Sequence, residues 1–366
     1  MLDGMSLSVD VSGLSADGYR FAASPLAELA AMLHALCEPA HHPELRDWQA
    51  ETMSVLPVEI IRGLNQSDLL WRSSRADFLL PGRPLPTLVE ELDVVDQLDD
   101  ETYACAALLT TSCGSVPLAR SRRPLRSSRS REGALRRARA RGPRQAAFAE
   151  RLIAEPAAVR AEVRTLLLDC AEVFFDDAWS RVRGHLVAAA RQTRDVFTRQ
   201  GLAHAVRAVS PAITLDPSGR RILIDKLQDA ATDAKAEGGL TFSPTAFGWP
   251  HLLVVHTPGW RPVIQYPISA PAGPDDLTLE VVQERLRALD HPLRMRLIRT
   301  LARGAHTTGQ LADAWNVTAP VVSRHLAVLR TAGLVTARRR GRYVAYDLDL
   351  PATERLGADL VTALLR

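Results

Sequence analysis

The chain has 366 residues, of which 46% are hydrophobic and 24% are charged, and its formal net charge is +3. These values are typical of a globular protein with two or three domains, and no apolar run approaches the roughly 18 to 20 residues that a transmembrane helix needs. The start of the chain lacks the basic segment and the long apolar core of a signal peptide. We therefore expect a cytoplasmic protein without a membrane partner.

Positive charge is concentrated in two parts of the chain. Residues 112–146 contain 11 arginines and one acidic residue, and residues 277–350 contain 12 arginines against 6 acidic residues. Such asymmetry indicates an anionic partner for the basic parts. The four cysteines form no CxxC pair and lie near no histidine at metal-ligand spacing, so we predict reduced, buried thiols and no metal site.

The N-terminal part begins with a strand pattern at 7–11, and a helix follows Ser24, which suits an N-cap. His41 and His42 come next, in a loop. Two adjacent histidines could bind a metal, but side chains at successive positions diverge, and we expect a solvated pair instead. Further helices are predicted at 45–54, 57–64 and 88–98.

Residues 112–145 form an arginine-rich segment of low complexity with almost no large apolar side chain. Such a segment cannot bury enough surface to fold alone, so we predict a disordered or partly helical loop. Two interpretations are open. The segment could be a basic arm that contacts nucleic-acid phosphates, or a solvated insertion, which we favour.

Residues 146–207 carry apolar residues at helical spacing, which predicts a helical core. From residue 211 onward, short β-prone runs separated by turns predict a small antiparallel sheet. The loops between the last runs are rich in aromatic residues and proline. They could line an apolar ligand pocket or a dimer interface, or they could cap the end of the sheet. The candidate ligand-binding residues are Phe247, Trp249, Trp260 and Tyr266.

The C-terminal part is predicted to contain helices at 277–289, 292–301 and 308–315, the last ending at Asn316 in a left-handed conformation. Another helix begins after Thr318, whose hydroxyl can cap it, and ends at Gly333. Its buried stripe is formed by Val322, Leu326 and Leu329.

A hairpin with a basic tip follows this helix, because β-prone runs at 334–337 and 343–346 bracket four arginines and a glycine. A helix with a small, polar outer face fits the major groove of DNA, and an arginine-tipped hairpin can contact phosphates or enter the minor groove. The alternative is a solvated helix with a charged turn. The order of capped helix, glycine stop and basic hairpin favours DNA binding.

Residues 277–350 resemble the winged helix-turn-helix of the ArsR family of bacterial transcriptional regulators. The resemblance lies in LDHPLRMRLI at 289–298, QLA at 310–312, VSRHLAVLRTAGLV at 322–335 and RRRGRYVAY at 338–346. The region before them resembles, more distantly, an uncharacterised domain that is fused to such modules in actinobacteria.

The resemblance implies a homodimer that binds double-stranded operator DNA through two reading helices about 34 Å apart. The segments 277–289 and 351–366 would form the dimer contact. Family members often have glutamine where Ala319 stands, so one base contact is missing here. The residues implied in DNA binding are Thr307, Thr308, Thr318, Ala319, Pro320, Ser323, Arg324, His325, Arg338, Arg339, Arg340, Arg342 and Tyr343.

The resemblance does not extend to the metal sites of the family. Metal-sensing members carry two cysteines in the helix before the reading helix, where Thr307 and Gly309 stand here. Neither residue can replace a thiolate. The last segment contains Glu354 and Asp359 but no histidine. We therefore expect no metal at these places, no cofactor and a non-metal effector.

Together these observations predict an α+β protein. We expect an N-terminal α+β region at 1–111, the arginine-rich loop at 112–145, a helical segment with a small sheet at 146–269, and a winged helix-turn-helix for DNA binding and dimerisation at 277–366. The leading hypothesis is a dimeric repressor whose N-terminal domain senses a small molecule. The alternatives are a DNA-tethered module controlled by a protein partner, or an enzyme, for which we find no catalytic motif.

Overall fold

The computed structural model describes residues 6–72, 74–109, 125, 127–225, 230–268, 278–340 and 343–365, but not the side chains of residues 6, 109, 340 and 343. The chain forms two compact units, Met1–Pro271 and Ala272–Arg366. Within the described ranges, no helix has both the length and the apolar character needed to cross a bilayer.

Ten α-helices occur among the described residues of the N-terminal unit, and a π-helical turn at Ala171–Phe175 joins the eighth to the ninth. Their ends follow local signals, such as the Ser24 side chain that accepts a hydrogen bond from the Ala27 N–H at 3.0 Å. The helices are α1 (Pro25–Cys37), α2 (Arg46–Val55), α3 (Val58–Ser67), α4 (Leu88–Asp96), α5 (Asp100–Leu109), α6 (Ser128–Arg141), α7 (Pro143–Ala154), α8 (Pro156–Cys170), α9 (Asp176–Gln200) and α10 (Leu202–Val209).

The sheet of this unit differs from the expected one, because two mixed four-stranded sheets replace a single antiparallel sheet. Strand β1 (Ser6–Asp10) lies between two strands from much later in the chain, antiparallel to one and parallel to the other. These pairings join distant segments, and local alternation cannot specify them. The remaining strands are β2 (Tyr19–Phe21), β3 (Ile213–Leu215), β4 (Arg221–Asp225), β5 (Ala230–Asp233), β6 (Leu240–Thr245), β7 (Leu253–Val255) and β8 (Val263–Pro267).

The order of the first sheet is β3-β4-β1-β5, and that of the second is β2-β6-β8-β7. In the second sheet β6 is parallel to both β2 and β8, whereas β7 and β8 form an antiparallel pair. β3 and β4 form an antiparallel hairpin.

Helix α1 is the centre of the larger core, and every residue from Pro25 to Ala35 is buried. Its buried Glu28 accepts hydrogen bonds through Oε1 from the backbone N–H groups of Ala246 at 2.9 Å and Phe247 at 3.1 Å. The side-chain amide of Gln265 donates to the Ala27 carbonyl at 3.0 Å. These contacts attach the loop after β6, and strand β8, to α1.

The arginine-rich segment is partly helical, as predicted. Helix α6 covers its C-terminal half, where Ala134 and Ala138 are buried. Residues 110–124 and 126 lie outside the described residues, so the choice between a basic arm and a solvated insertion stays a prediction. Among the cysteines, Cys37, Cys105 and Cys170 are free thiols, and Cys113 lies outside the described part.

The expectation of a solvated histidine pair is wrong. His42 is fully buried, and His41 is half-buried. A short turn at Pro39–His41 follows α1 and directs both rings back toward His34 in the last turn of that helix. A loop prediction from adjacent residues cannot anticipate this return, because the packing partners are elsewhere in the chain.

The C-terminal unit contains six α-helices and one small sheet in its described residues. The helices predicted at 292–301 and 308–315 are confirmed to the residue, and the first helix begins at Leu279. The elements are α11 (Leu279–Leu289), α12 (Pro292–Leu301), β9 (His306–Thr307), α13 (Thr308–Trp315), α14 (Ala319–Thr331), β10 (Val335–Arg340), β11 (Tyr343–Leu348), α15 (Leu350–Glu354) and α16 (Leu356–Leu365).

One hydrophobic cluster holds this unit together. The stripe of Val322, Leu326 and Leu329 on α14 is 0% exposed, and it packs with Leu297 and Leu311 from α12 and α13. Burial of each such side chain contributes roughly 1.5–3 kcal/mol. Because the cluster occupies the inner side of α14, the other side of that helix is left for other contacts.

Candidate nucleic-acid interface

The junction between α13 and α14 is a tight helix-turn-helix. Thr307 caps α13 through a capping box, in which its hydroxyl accepts from the Gln310 N–H at 3.3 Å and Gln310 accepts from the Thr307 N–H at 2.8 Å. Asn316 ends α13 with φ 50°, as predicted. Only Val317 and Thr318 separate it from the next helix.

Thr318 occupies the N-cap of α14, but its side chain does not make the expected capping hydrogen bond. The second helical residue is Pro320, which has no N–H. The third, Val321, donates its N–H to the backbone carbonyl of Thr318 at 3.0 Å. The exposed hydroxyl of Thr318 is therefore not engaged in capping and is available to a ligand in front of the helix.

The outer face of α14 is open to solvent. Thr318, Ala319, Pro320, Ser323 and Arg324 are all exposed, on the side opposite the buried stripe. This surface contains small and hydrogen-bonding groups around one long cationic side chain. It has the size and chemistry that the major groove accepts.

His325 lies at the edge of this face and differs from its neighbours. It is half-buried, and its ring centroid is 4.5 Å from that of His291, the N-cap of α12. Burial, then repulsion from His291, Arg294 and Arg324, lowers the pKa of His325 below its ordinary value. We therefore assign His325 a smaller role in DNA contact than Arg324. Thr307 and Thr308 are also half-buried, and the Thr307 hydroxyl is occupied by its cap.

The hairpin is the wing of the motif. β10 and β11 pair in register from Val335–Leu348 to Arg340–Tyr343, and β9 adds a third strand through Thr307 and Ala345. The side chains of Arg338 and Arg339 are exposed. Residues 341 and 342, and the side chains of Arg340 and Tyr343, lie outside the described part, so their role stays a prediction.

The four candidate ligand residues of the N-terminal unit do not share one pocket. Phe247 packs against Trp48, with ring centroids 4.7 Å apart, in the larger core. Tyr266 belongs to the other core cluster, where its hydroxyl is 2.9 Å from Thr193 Oγ1. Trp249 and Trp260 are half-buried. Phe247 and Tyr266 therefore serve packing, which favours the plainer of the two interpretations for those loops.

The terminal helices of the C-terminal unit pack on each other and leave an apolar face. Inside the contact, Arg285 Nη1 of α11 lies 2.6 Å from Asp359 Oδ2 of α16. Outside it, large apolar side chains are exposed by 41% to 58%. They are Leu286, Leu350, Val361 and Leu364.

Sequence reasoning missed a group of four histidine rings in the N-terminal unit. His34 and His251 face each other with 3.0 Å between their Nε2 atoms, and His41 and His42 complete the group. Burial, then repulsion from Arg75, His251 and His42, holds the pKa of His34 far below its ordinary value. Burial lowers the pKa of His42 to about 4, so both rings are neutral near pH 7. The only sequence signal was the histidine content of 34–42.

Comparisons with known proteins agree with the division into two units. Residues 5–272 match a family described as "Family of unknown function (DUF5937)". Residues 289–338 match "Helix-turn-helix domain". The first match covers most of the N-terminal unit, and the second covers α12 to α14 and most of β10.

The relatives described next each match about a fifth to a quarter of the chain. The HTH-type transcriptional repressor SmtB of Mycobacterium tuberculosis is 41% identical over 78 residues, which are 21% of this chain and 58% of that protein. The biofilm growth-associated repressor of Agrobacterium fabrum is 32% identical over 101 residues, 26% of this chain and 86% of that protein. The crystal structure of NolR from Sinorhizobium fredii is 26% identical, covers 25% of this chain and 92% of that chain, and has a TM-score of 0.21.

This chain thus spans little more than half the length of the first of these repressors but most of the second. The helix-turn-helix match and the two repressor relatives agree with the capped helix-turn-helix, the exposed face of α14 and the wing described above. The protein belongs to the DUF5937 family, and its C-terminal unit is a winged helix-turn-helix of the ArsR type.

Proposed function

We propose that the protein is a dimeric, sequence-specific transcriptional repressor whose DNA affinity is set by its N-terminal unit. The observation that carries the proposal is the outer face of α14, on which Thr318, Ala319, Pro320, Ser323 and Arg324 are exposed while the opposite stripe is fully buried. A helix that served only the core would not need an uncharged, small-residue face at its N-terminus.

In this proposal the N-terminal half of α14 enters the major groove. Arg324 is the side chain best placed to discriminate bases, because arginine can donate two hydrogen bonds to guanine O6 and N7. Thr318 and Ser323 contact phosphate or base edges through their hydroxyls, and Ala319 and Pro320 allow the helix to approach closely.

The wing contributes binding to DNA that does not depend on the base sequence. Arg338 and Arg339 lie next to each other on an edge-exposed hairpin, where they can neutralise phosphates beside the groove. Each such contact releases counterions, so it contributes to affinity for any DNA and makes that affinity sensitive to salt.

Dimerisation places two reading helices on one operator. The exposed apolar residues of α11, α15 and α16 form the self-complementary patch that a two-fold contact requires. We expect a near-palindromic operator with half-sites one helical turn, about 34 Å, apart. A signal received by the N-terminal unit would change the spacing or angle of the two helices and shift the population of DNA-competent dimers.

The test is to determine the genomic fragments that the full-length protein binds, and then to measure their affinity by electrophoretic mobility shift with bulk competitor DNA. We expect binding to a promoter fragment at least about a thousandfold tighter than to random duplex. Equal affinity for the promoter fragment and the competitor at modest salt would overturn the proposal. A fragment whose transcription rises when the protein is present would overturn only the assignment as a repressor.

A further inference from the structure

Histidines from three separate segments of the N-terminal unit converge on one point. His34 lies in the last turn of α1, His41 in the short turn after it, and His251 in the loop before β7. One ring nitrogen from each of the three lies within 4.8 Å of the other two. We propose that these three side chains bind a divalent transition-metal ion of the zinc type.

The spacing of the nitrogens suits such an ion. Zinc binds imidazole nitrogen at about 2.0–2.1 Å, so two nitrogens of a tetrahedral site are about 3.3 Å apart. The Nε2 atoms of His34 and His251 are already 3.0 Å apart. His41 is half-buried on a turn, and its ligand nitrogen lies within 4.8 Å of those of His34 and His251.

The backbone orients His34 as a metal ligand. Its Nδ1 lies 2.9 Å from the carbonyl oxygen of Trp71. A carbonyl oxygen can only accept, so Nδ1 carries the proton and the lone pair of His34 is on Nε2, which faces His251. A histidine that donates its other ring N–H to a backbone carbonyl is the arrangement found at metal sites, because it sets both the tautomer and the ring direction.

The loop that carries His251 is held in place from the same helix. Glu28, on α1, binds the backbone N–H groups of Ala246 and Phe247, and the N–H of His251 donates to the Gly248 carbonyl at 2.7 Å. The histidine pair across these two segments is therefore preorganised before any ion arrives, which reduces the free-energy cost of binding.

Three buried ring nitrogens in this group make no hydrogen bond among the described residues. They are Nδ1 of His41 and both ring nitrogens of His42. An unsatisfied buried nitrogen costs about 1–3 kcal/mol, and coordination of an ion is one way to recover this energy. His42, fully buried beside the three ligands, completes the wall of the site.

The chemistry of the donors determines the class of ion. Neutral imidazole suits zinc, copper, iron and nickel, whereas calcium and magnesium need oxygen ligands. The buried guanidinium of Arg75 is close enough to repel a positive charge at His34 and His42. This repulsion opposes every cation, so the ion must be one that binds imidazole nitrogen strongly, as zinc does.

This site is distinct from the positions at which we expected no metal. That expectation concerned Thr307, Gly309 and the last helix, all in the C-terminal unit. For His41 and His42 we also expected a solvated pair without a metal, and the present proposal replaces that expectation. Three nitrogen ligands leave a fourth position of a tetrahedral ion open. The site can therefore accept a small molecule or water as well as the ion.

The test uses the full-length protein, stripped with a chelator and titrated first with Co²⁺ and then with Zn²⁺. We expect one Co²⁺ per chain with visible absorption bands of a nitrogen-coordinated ion, displacement by Zn²⁺ and no displacement by excess Mg²⁺. His41→Gln and His251→Gln should each weaken Zn²⁺ binding, measured by chelator competition, by at least about tenfold. His185→Ala, which removes an exposed histidine of α9, should bind as the wild type does.

Failure of the wild type to bind one ion tightly would overturn the proposal. So would unchanged affinity in both glutamine variants, or an equal loss in the His185→Ala control. Circular dichroism establishes that each variant is folded. If both glutamine variants unfold, two results for the wild type test the proposal: one Co²⁺ ion per chain, and absorption bands of a nitrogen-coordinated ion. Coordination by surface oxygen atoms produces neither result. DNA binding enters none of these measurements, so the proposal stands or falls independently of the repressor assignment.

Discussion

Arg285 and Asp359 form a buried ion pair that joins α11 to α16, with 2.6 Å between Nη1 and Oδ2 and side-chain exposures of 8% and 10%. The two residues are 74 positions apart in the sequence. Because both helices also carry the exposed apolar residues of the proposed dimer contact, this pair positions that contact.

We expect Asp359→Ala to destabilise the C-terminal unit by about 3–5 kcal/mol, because it leaves the Arg285 charge buried without its partner. Hydrogen exchange measured by mass spectrometry should show faster exchange in peptides from α11 and α16. The double variant Arg285→Met with Asp359→Leu should recover most of the loss, since apolar side chains can replace a buried pair. Asp177→Ala, which breaks the exposed Arg181–Asp177 pair, should change stability by less than about 1 kcal/mol. A small effect of Asp359→Ala alone would show that the pair is not needed.

Substitution of Arg324 tests base reading by α14. Arg324→Ala should weaken binding to the operator by about 1–3 kcal/mol and leave binding to random duplex almost unchanged. The measurement is a pair of titrations by fluorescence anisotropy at one salt concentration. Arg330→Ala, exposed one to two turns further along the helix, is the matched control and should retain discrimination. Equal losses on operator and random DNA would assign Arg324 to phosphate instead.

Substitution of Arg338 tests the wing. Arg338→Ala should weaken binding to all sequences alike and reduce the slope of log affinity against log salt by about 1, because one fewer phosphate is neutralised. Titrations at four salt concentrations give the slope. A loss confined to the operator, with an unchanged slope, would contradict this role.

The apolar face of α16 should control assembly. Val361 is 50% exposed, and Val361→Glu places a charge in the proposed contact. We expect sedimentation to report a monomer and operator affinity to fall by at least about tenfold, because a single reading helix loses the advantage of a linked second site. Val94→Glu changes an equally exposed valine on α4 and should leave the dimer intact. A dimeric Val361→Glu protein would place the interface elsewhere.

Asp77 should make stability depend on pH. Burial raises the pKa of Asp77 to about 7, although a hydrogen bond with the Thr257 side chain acts in the opposite direction. The Oδ2 atom of Asp77 has no hydrogen-bond partner among the described residues. Asp77 therefore binds a proton more tightly in the folded state than in the unfolded chain. The stability that this difference contributes is complete below about pH 4 and is lost as the pH rises through about 7. Each unit of pKa difference corresponds to roughly 1.4 kcal/mol.

Asp77→Asn is neutral at every pH and should remove this dependence. We expect the melting temperature of the variant to exceed that of the wild type at pH 8 and the difference to shrink toward pH 5. A constant difference across that range would show that Asp77 does not titrate between the two values.

Much of the C-terminal unit could be predicted because its signals are local. The ends of α12, α13 and α14 follow from Pro292, Thr307, Asn316 and Gly333, each of which acts on its own turn of backbone. The exposure of Thr318, Ala319, Pro320, Ser323 and Arg324 follows from the buried stripe on the same helix. The missing cap at Thr318 is a local effect as well, since Pro320 has no N–H to donate.

Contacts between segments that are distant in the sequence could be identified only from the tertiary structure. In the C-terminal unit the sequence by itself determined where α12 and α13 begin and end, and that a basic hairpin follows α14. In the N-terminal unit it did not predict α5. Tertiary packing alone decided that β1 lies between β4 and β5, and that His34 meets His251, 217 positions away. The physical reason is that capping and periodicity act within a few residues, whereas burial brings together side chains without regard to their separation along the chain.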